Sequence, residues 1–594
     1  MSYARSRFDP VKPFPESASV AEKIANQFDN DWTFRRPILT SLPDRLATPV
    51  ADRYIRIYEK DGRQAANLFL LDIKDDLSKH ALSLAASDDD LVSFAKKAAT
   101  DCFFQRMRFR NDKQAYEFML SYLSIRYRIT IPPRFKIKPR KNSVTVTDSN
   151  VTVKDTVTEK NQHIRNITLS VEGILNRFSD ELWWRRTLRN TTIRNVEKRA
   201  IDLGLVHRNA GIYISDETMQ RKRQQKRRNK LAAEKSILIN ELGQEYTLQE
   251  LIDNSLANPS NRRAELMVRI RGTEETSKAL GHIAVLYTIT CPSRMHARLA
   301  RSGDANPKYD GTSPQEAQKY LTKTWSQIRS KLKRDGLTYY GFRVVEPHHD
   351  GTPHWHLLIF MPKANFNQIT NIMRAYAMRE NENENGAAEH RFTVVKVDPK
   401  RGSATGYIAK YISKSIDGYG IDDDLYGKDA KNSAKRIANW ASTWNVRQFQ
   451  QLGGPPVTLY RELRRTQGKE LKGLLLEAWE AADKGDWETF IKLMGGPAIK
   501  RKDCSFKIAR QWSDEPNRYL EPQGYQIIGV SYMNVTIPTH IHQWTVTFNP
   551  ESQKHKIRTS PLETSPLDTP APPLEPYPLT GYETEKKFSK GLGL

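Results

Sequence analysis

Cysteine is scarce in this chain: Cys102, Cys291 and Cys504 are the three in 594 residues. They lie far apart and form no C-x-x-C pair, which argues against a disulfide framework and a cysteine zinc site and suits a reducing cytoplasm. No stretch holds the roughly 18 uninterrupted apolar residues of a membrane span. The start, Met1-Ser2-Tyr3-Ala4-Arg5, is basic but runs into Pro10, Pro13 and Pro15 with no apolar segment, so it does not read as a signal peptide. A soluble, intracellular protein with no membrane partner is expected. A G-x-x-x-x-G-K-[ST] phosphate loop is also missing, so nothing marks an NTP-driven motor. Acids are in deficit, 69 Asp plus Glu against 94 Lys plus Arg, for a net charge of +25. That excess suits work against a polyanion, with nucleic acid the leading candidate, although a solvated basic surface would carry the same charge.

A chain this long exceeds one core, and about 150 residues per domain gives roughly three to five units. Residues 1–140 read as mainly helical, with apolar residues at helical spacing in 51–60, 91–108 and 116–127. The polar stretch 141–166 reads as a linker or a weak exposed hairpin. Residues 167–274 read as a basic helical region, 275–425 as a mixed domain, 426–500 as a C-terminal helical region and 501–549 as a small strand-containing region. The end, 550–594, is rich in proline and expected to be disordered.

Within the basic region, Arg221, Lys222, Arg223, Lys226, Arg227, Arg228 and Lys230 fall in one short run without an acid. On a helix they would ring it with cations. Such a run suits either nonspecific contact with DNA phosphates or a solvated helical face.

The mixed domain opens at Ala284-Val285-Leu286-Tyr287-Thr288-Ile289-Thr290-Cys291-Pro292, a buried-strand pattern closed by proline. A helix follows over 315–333, with Ser313 as N-cap and Pro314 at its first position. Strands over 339–345 and 354–361 then flank the turn His348-His349-Asp350-Gly351-Thr352-Pro353, in which Asp-Gly signals a hairpin. A helix over 367–379, a strand over 391–397 and a helix from Ser403 or Thr405 complete an α+β domain, an antiparallel sheet covered by helices and flanked by mainly helical domains.

Two constellations carry chemistry. Side chains alternate along a strand, so His354 and His356 share a face while Trp355, Leu357 and Ile359 take the other. The hairpin folds Glu346 back toward the two imidazoles, and a carboxylate with two imidazoles is a metal-ligating set that leaves positions open. His540-Ile541-His542 has the same spacing without the hairpin or the aliphatic run, and reads as structural or surface. The second constellation is Gly406-Tyr407-Ile408-Ala409-Lys410-Tyr411-Ile412-Ser413-Lys414. Helical spacing puts Tyr407, Tyr411 and Lys414 on one face, with Lys410 at its margin, and Ile408 with Ile412 on another that can pack on the sheet. A phenol is a useful phosphoryl nucleophile when cations stabilise its phenolate, and a metal can polarise a phosphate oxygen, so the two constellations together read as a covalent strand-cleaving site.

The set Tyr287-Thr288-Ile289-Thr290, Glu346-x-His348-x-Asp350-Gly351-x-x-His354-x-His356 and Tyr407-x-x-x-Tyr411 resembles the three motifs of two-tyrosine HUH-superfamily rolling-circle replication initiators. The flanking stretches 439–449 and 454–465 resemble the bacteriophage replication gene A protein family. The resemblance covers residues 180–500 and implies an HUH endonuclease domain at 275–425. It implies a site- and strand-specific endonuclease that nicks origin DNA, single-stranded or locally unwound, keeps a 5′-phosphotyrosine link, frees a 3′-OH primer and later rejoins the displaced strand. In such an enzyme Glu346, His354 and His356 would hold Mg²⁺ or Mn²⁺, Tyr407 and Tyr411 would attack, and Lys410 and Lys414 would steady the phenolate or phosphate. A host replicative helicase and polymerase are the implied partners and the host cytoplasm the implied place. His349 is an extra imidazole that either tunes the site or faces solvent. A two-tyrosine HUH transposase would share every one of these residues, and a non-catalytic DNA-binding regulator would use the histidines structurally; 439–465 favours the initiator.

Overall fold

The computed structural model describes residues 15–29, 31–129, 170–420, 427, 429–466, 468, 471–533 and 535–548. The expected linker and the proline-rich tail lie outside the described residues. The chain divides into two compact units, Met1–Val196 with Gln511–Gln526 and Glu197–Arg510 with Ile527–Leu594.

The first unit is chiefly helical. Helices Asp44–Leu77, Asp88–Met107 and Asp112–Tyr127 contain the three periodic stretches expected there. The second begins with Ser87 and Asp90 capping each other's backbone and three aspartates in its first turn, where the helix dipole favours negative charge. Cys102, Met119, Leu123, Phe178 and Trp184 centre its core, and the Trp184 indole donates to the Phe178 carbonyl at 2.7 Å.

The second unit carries the sheet. Its site-forming elements are α1 (Asp216–Lys235), α2 (Pro259–Ala279), β1 (Ile283–Thr290), α3 (Pro314–Arg334), β2 (Tyr340–Pro347), β3 (Pro353–Met361), α4 (Phe366–Met378), β4 (Phe392–Lys396), α5 (Ala404–Ile416), α6 (Ala430–Trp444) and β5 (Phe449–Leu452). The strands lie in the order β4-β1-β3-β2-β5, each pair antiparallel. β3 therefore has a neighbour on both edges, which suits its apolar run. Leu286, Phe342, Val344, Leu358 and Phe360 line one face and pack with Leu266 and Ile270 of α2 and Ile408, Ile412 and Ile416 of α5. α3 covers the other face, where the Trp355 indole donates to Gln318 Oε1 at 3.0 Å. The architecture is the expected α+β, and α3 starts as expected, with Ser313 capping in a reciprocal box with Glu316 and Pro314 leading.

Two expectations need correction. The basic helical region also holds strands Ser236–Asn240 and Glu245–Thr247; the first pairs with Trp544–Phe548, a partner some 300 residues away that no local pattern announces. The C-terminal helical region yields β5, which joins the central sheet. Its four residues are too few to show a period, and the helix before it stops at Asn445, whose φ of +56° is left-handed. The helices Leu474–Asp483 and Trp487–Leu493 of the same region are parted at Gly485. The small strand-containing region holds the strands Phe506–Pro516 and Pro522–Tyr532.

Candidate metal and tyrosine site

The β2–β3 hairpin brings the donors together. Glu346 pairs with His354 across the ladder and Val344 with His356, so the carboxylate and both imidazoles share a face. The turn is pinned from inside and outside. His348 N–H donates to the Thr352 carbonyl at 2.7 Å and Thr352 N–H to Asp350 Oδ1 at 3.0 Å. Gly351 has φ +85°, a left-handed conformation that favours glycine, and a Cβ there would stand 3.2 Å from the Tyr213 carbonyl. The Trp440 indole donates to the Gly351 carbonyl at 2.8 Å, and Tyr213 N–H to the His349 carbonyl at 3.1 Å. His349 is buried, so it does not face solvent.

Two of the three donors, His356 and Glu346, are aimed by a second group, while His354 Nδ1 is buried without a hydrogen-bond partner among the described residues. His354 Nε2 and His356 Nε2 stand 2.9 Å apart, and Glu346 Oε2 lies 3.7 Å from His356 Nε2. Thr288 Oγ1, from the neighbouring β1, is 3.1 Å from His356 Nδ1, which leaves Nε2 to face the other donors. Ser415 Oγ donates to Glu346 Oε1 at 2.9 Å, and Lys414 Nζ is 3.6 Å from Oε2. Glu346 is 1% exposed, Lys414 5% and His356 6%. Desolvation, then the charges of Lys414 and His348, pushes the His356 imidazole down to about 3. Desolvation, with His356 and Lys414 next, holds His354 well below the usual imidazole range. Both rings are thus neutral near pH 7, the form that offers a lone pair.

The set suits a divalent cation. Two nitrogens each about 2.1 Å from one ion and at right angles stand about 3 Å apart, which is the spacing of the two Nε2 atoms. Glu346, His354 and His356 place one donor atom each within 4.8 Å of one another, the only such group of three among the described residues.

The tyrosine helix is placed by its ends and its apolar stripe. Ser403 Oγ accepts from Gly406 N–H at 3.0 Å, and the Glu274 carboxylate of α2 accepts from the N–H groups of Ala404 at 3.1 Å and Thr405 at 2.8 Å. Ile408 and Ile412 are fully buried on the sheet, each contributing about 2 kcal/mol. The opposite margin then brings Tyr411 over His356, with ring centroids 3.9 Å apart and planes 23° from parallel. Tyr407, one turn earlier, packs half-buried at the edge of the same core, Lys410 is half-buried beside it, and Lys414 reaches Glu346.

Residues 99–419 match the family model of the bacteriophage replication gene A protein (GPA). The chain belongs to this family. It is 40% identical over 384 residues to the replication gene A protein of Escherichia phage 186, covering 62% of this chain and 55% of that one. It is 37% identical over 370 residues to the replication protein of Haemophilus phage HP1, covering 61% and 47%. A probable replication endonuclease from a prophage-like region of Salmonella paratyphi A is 37% identical over 382 residues, covering 61% and 48%. The matches thus span about half the length of these relatives. No solved structure matches.

In this family member the basic run departs from a uniform ring of cations. It lies on α1 as expected, and Arg223, Lys226, Arg227, Arg228 and Lys230 are exposed. Lys222 is turned inward, its Nζ donating to Ser442 Oγ of α6 at 2.7 Å, so it is no surface contact for DNA. Arg221 Nε donates to Glu217 at 2.6 Å. The second His-x-His triplet splits: His540 Nε2 lies 3.2 Å from Glu462 and His542 Nδ1 2.8 Å from Glu241. Residue patterns did not single out Thr288 as the partner of His356, nor Ser415 or Glu274. Their roles depend on which strand and helix lie alongside, and a hydroxyl or a helical glutamate carries no spacing signal of its own.

Proposed function

We propose that this chain initiates replication of a phage genome by cutting one strand of origin DNA through tyrosine transesterification. The observation that carries the reading is Tyr411 lying ring to ring on His356, beside a carboxylate and two neutral imidazoles. The relatives' names, replication gene A protein and probable replication endonuclease, support it. Glu346, His354 and His356 would hold Mg²⁺ or Mn²⁺, which when bound supplies Lewis acidity at a non-bridging phosphate oxygen. A phenolic oxygen of Tyr411 or Tyr407 bonds to phosphorus, the bond from phosphorus to the 3′ oxygen breaks, the phenolic proton leaves to solvent and the 3′ oxygen takes one up. The products are a 5′-phosphotyrosine and a 3′-OH that serves as a primer. Lys414, held at Glu346, and Lys410 place positive charge on the tyrosine helix, which favours the phenolate. One ester replaces another, so the second tyrosine can attack later and release the displaced strand for rejoining. Host helicase and polymerase, in the host cytoplasm, would supply unwinding and synthesis.

The test is denaturing electrophoresis of the chain incubated with labelled single-stranded phage DNA carrying the origin, with Mn²⁺ or Mg²⁺. A slow-migrating protein–DNA species is expected, lost in EDTA and in the Tyr407→Phe/Tyr411→Phe double variant. The single variants identify which phenol opens the cycle. An adduct that survives the double substitution would sink the assignment.

A further inference from the structure

The three-stranded sheet of Ser236–Asn240, Glu245–Thr247 and Trp544–Phe548 gathers aromatic and aliphatic side chains on one face. Phe548 stands opposite Ser236, Val546 opposite Leu238 and Trp544 opposite Asn240, while Tyr246 on the other edge strand stands opposite Leu238. Residues opposite each other on a ladder project from the same side, so Tyr246, Leu238, Trp544, Val546 and Phe548 share a face. The rings of Tyr246 and Trp544 accordingly meet over the middle strand, their centroids 5.7 Å apart. The opposite face of the Trp544–Phe548 strand carries Thr545 and Thr547. A sheet normally buries its apolar face and leaves its threonines to water. Here Trp544 is 40% exposed, Val546 66% and Phe548 65%. A contiguous apolar row held open in this way marks a contact surface.

The element beside the row indicates what it contacts. α1 runs without a break from Lys235 into Ser236, whose Oγ donates to the Ala232 carbonyl at 2.8 Å. Since Phe548 stands opposite Ser236, the row begins where the basic helix ends. Arg223, Lys226, Arg227, Arg228 and Lys230 are exposed along that helix. Lys230, whose Nζ lies 3.8 Å from Glu234, is six residues or about 9 Å of helix from Ser236. At the far end of the sheet Glu241 accepts from the Gln543 N–H and lies 2.8 Å from His542 Nδ1. An apolar protein partner would leave the cations unused, and a duplex would offer phosphates but no open base for the rings. A single strand has both, phosphates for Arg and Lys and unstacked bases for Trp, Phe and Tyr.

We propose that this sheet is a stacking platform for single-stranded DNA, with bases on Trp544, Phe548 and Tyr246 and the backbone led along α1. Trp544 and Phe548 are four residues apart, about 13 Å along an extended strand, so they take different bases. That the strand is origin DNA opened for cutting rests on the strand-cleaving reading; the platform itself does not.

In EDTA, where cleavage is silent, the full-length chain is titrated with a fluorescent single-stranded 30-mer and with the same sequence as a duplex, at several salt concentrations. Trp544→Ala with Phe548→Ala should weaken single-strand binding at least tenfold with little change in salt slope, and leave duplex binding as it was, since paired bases are not open to stack. Trp544→Phe with Phe548→Trp, which keeps a ring at each place, should retain wild-type affinity. Arg227→Gln with Lys230→Gln should instead lower the slope of log K against log salt by about 1.4. On the unmutated chain, a 30-mer carrying 5-bromodeoxyuridine should on irradiation crosslink to the peptide that holds Trp544 and Phe548, read by mass spectrometry. Wild-type single-strand affinity in the double-alanine variant would overturn the proposal. So would a loss of self-association in sedimentation with DNA binding unchanged, since the face would then join copies of the chain. Stacking as stated in a chain that forms no covalent adduct keeps the platform and rejects the cleavage reading, and an adduct with unchanged affinity in the variant does the reverse.

Discussion

The triplet His-x-His occurs twice, and its two copies meet different surroundings. His354 and His356 stand on a central strand, with Glu346 opposite, Thr288 behind and Tyr411 stacked above. His540 and His542 lie outside any strand, and each reaches a different glutamate, Glu462 and Glu241. A shared spacing therefore says little until a sheet adds a carboxylate to the same face and a neighbouring strand aims one of the rings. In the first copy the two nitrogens meet at 2.9 Å; in the second each imidazole has its own acid.

That contrast can be broken most sharply by removing ligands. His356→Ala or His354→Ala should lower Mn²⁺ affinity, read by isothermal titration calorimetry, by more than about a hundredfold and abolish the covalent adduct, since one donor of three is lost. Full adduct formation in either variant would refute the metal assignment. A smaller effect is expected behind the ligand: Thr288→Val should weaken Mn²⁺ binding about tenfold, the scale of groups that orient a ligating histidine. An unchanged affinity would make Thr288 mere packing. Both imidazoles have lowered pKa values in the folded chain, His356 to about 3, so they stay unprotonated well below pH 6.5. Mn²⁺ affinity should then fall by less than about threefold between pH 7.5 and 5.5, whereas two ordinary imidazoles would lose about a hundredfold over that span. By the same linkage, the metal-free chain should lose stability as pH drops from about 6.5 toward 3, where the unfolded state binds protons that the folded site refuses. Last and smallest, His540→Ala and His542→Ala should each leave the adduct yield unchanged and shift stability by under about 1 kcal/mol, since both imidazoles are partly open to solvent and the Arg465 guanidinium still pairs with Glu462.

Legibility followed the range of the signal. The alternation that separates His354 and His356 from Trp355, the Asp-Gly turn and the proline-led cap of α3 were all readable, because each depends on residues a few positions apart. So was the helix that puts Ile408 and Ile412 on the sheet and the tyrosines at its rim. The strand Ser236–Asn240 was not, since its partner is Trp544–Phe548, and neither was β5, whose four residues show no period. Lys222 looked like its neighbours in the basic run and differs only because α6 lies beneath it.

By itself the sequence determined a basic α+β chain with a histidine hairpin and a tyrosine helix, and the motifs that mark its family. The tertiary structure alone decided that Tyr411 lies on His356 and that Ser415 and Lys414 reach Glu346. The reason is physical: periodicity and capping are written within one or two turns of chain, whereas convergence depends on how sheet and helices pack, and that is set by apolar faces far apart in the sequence.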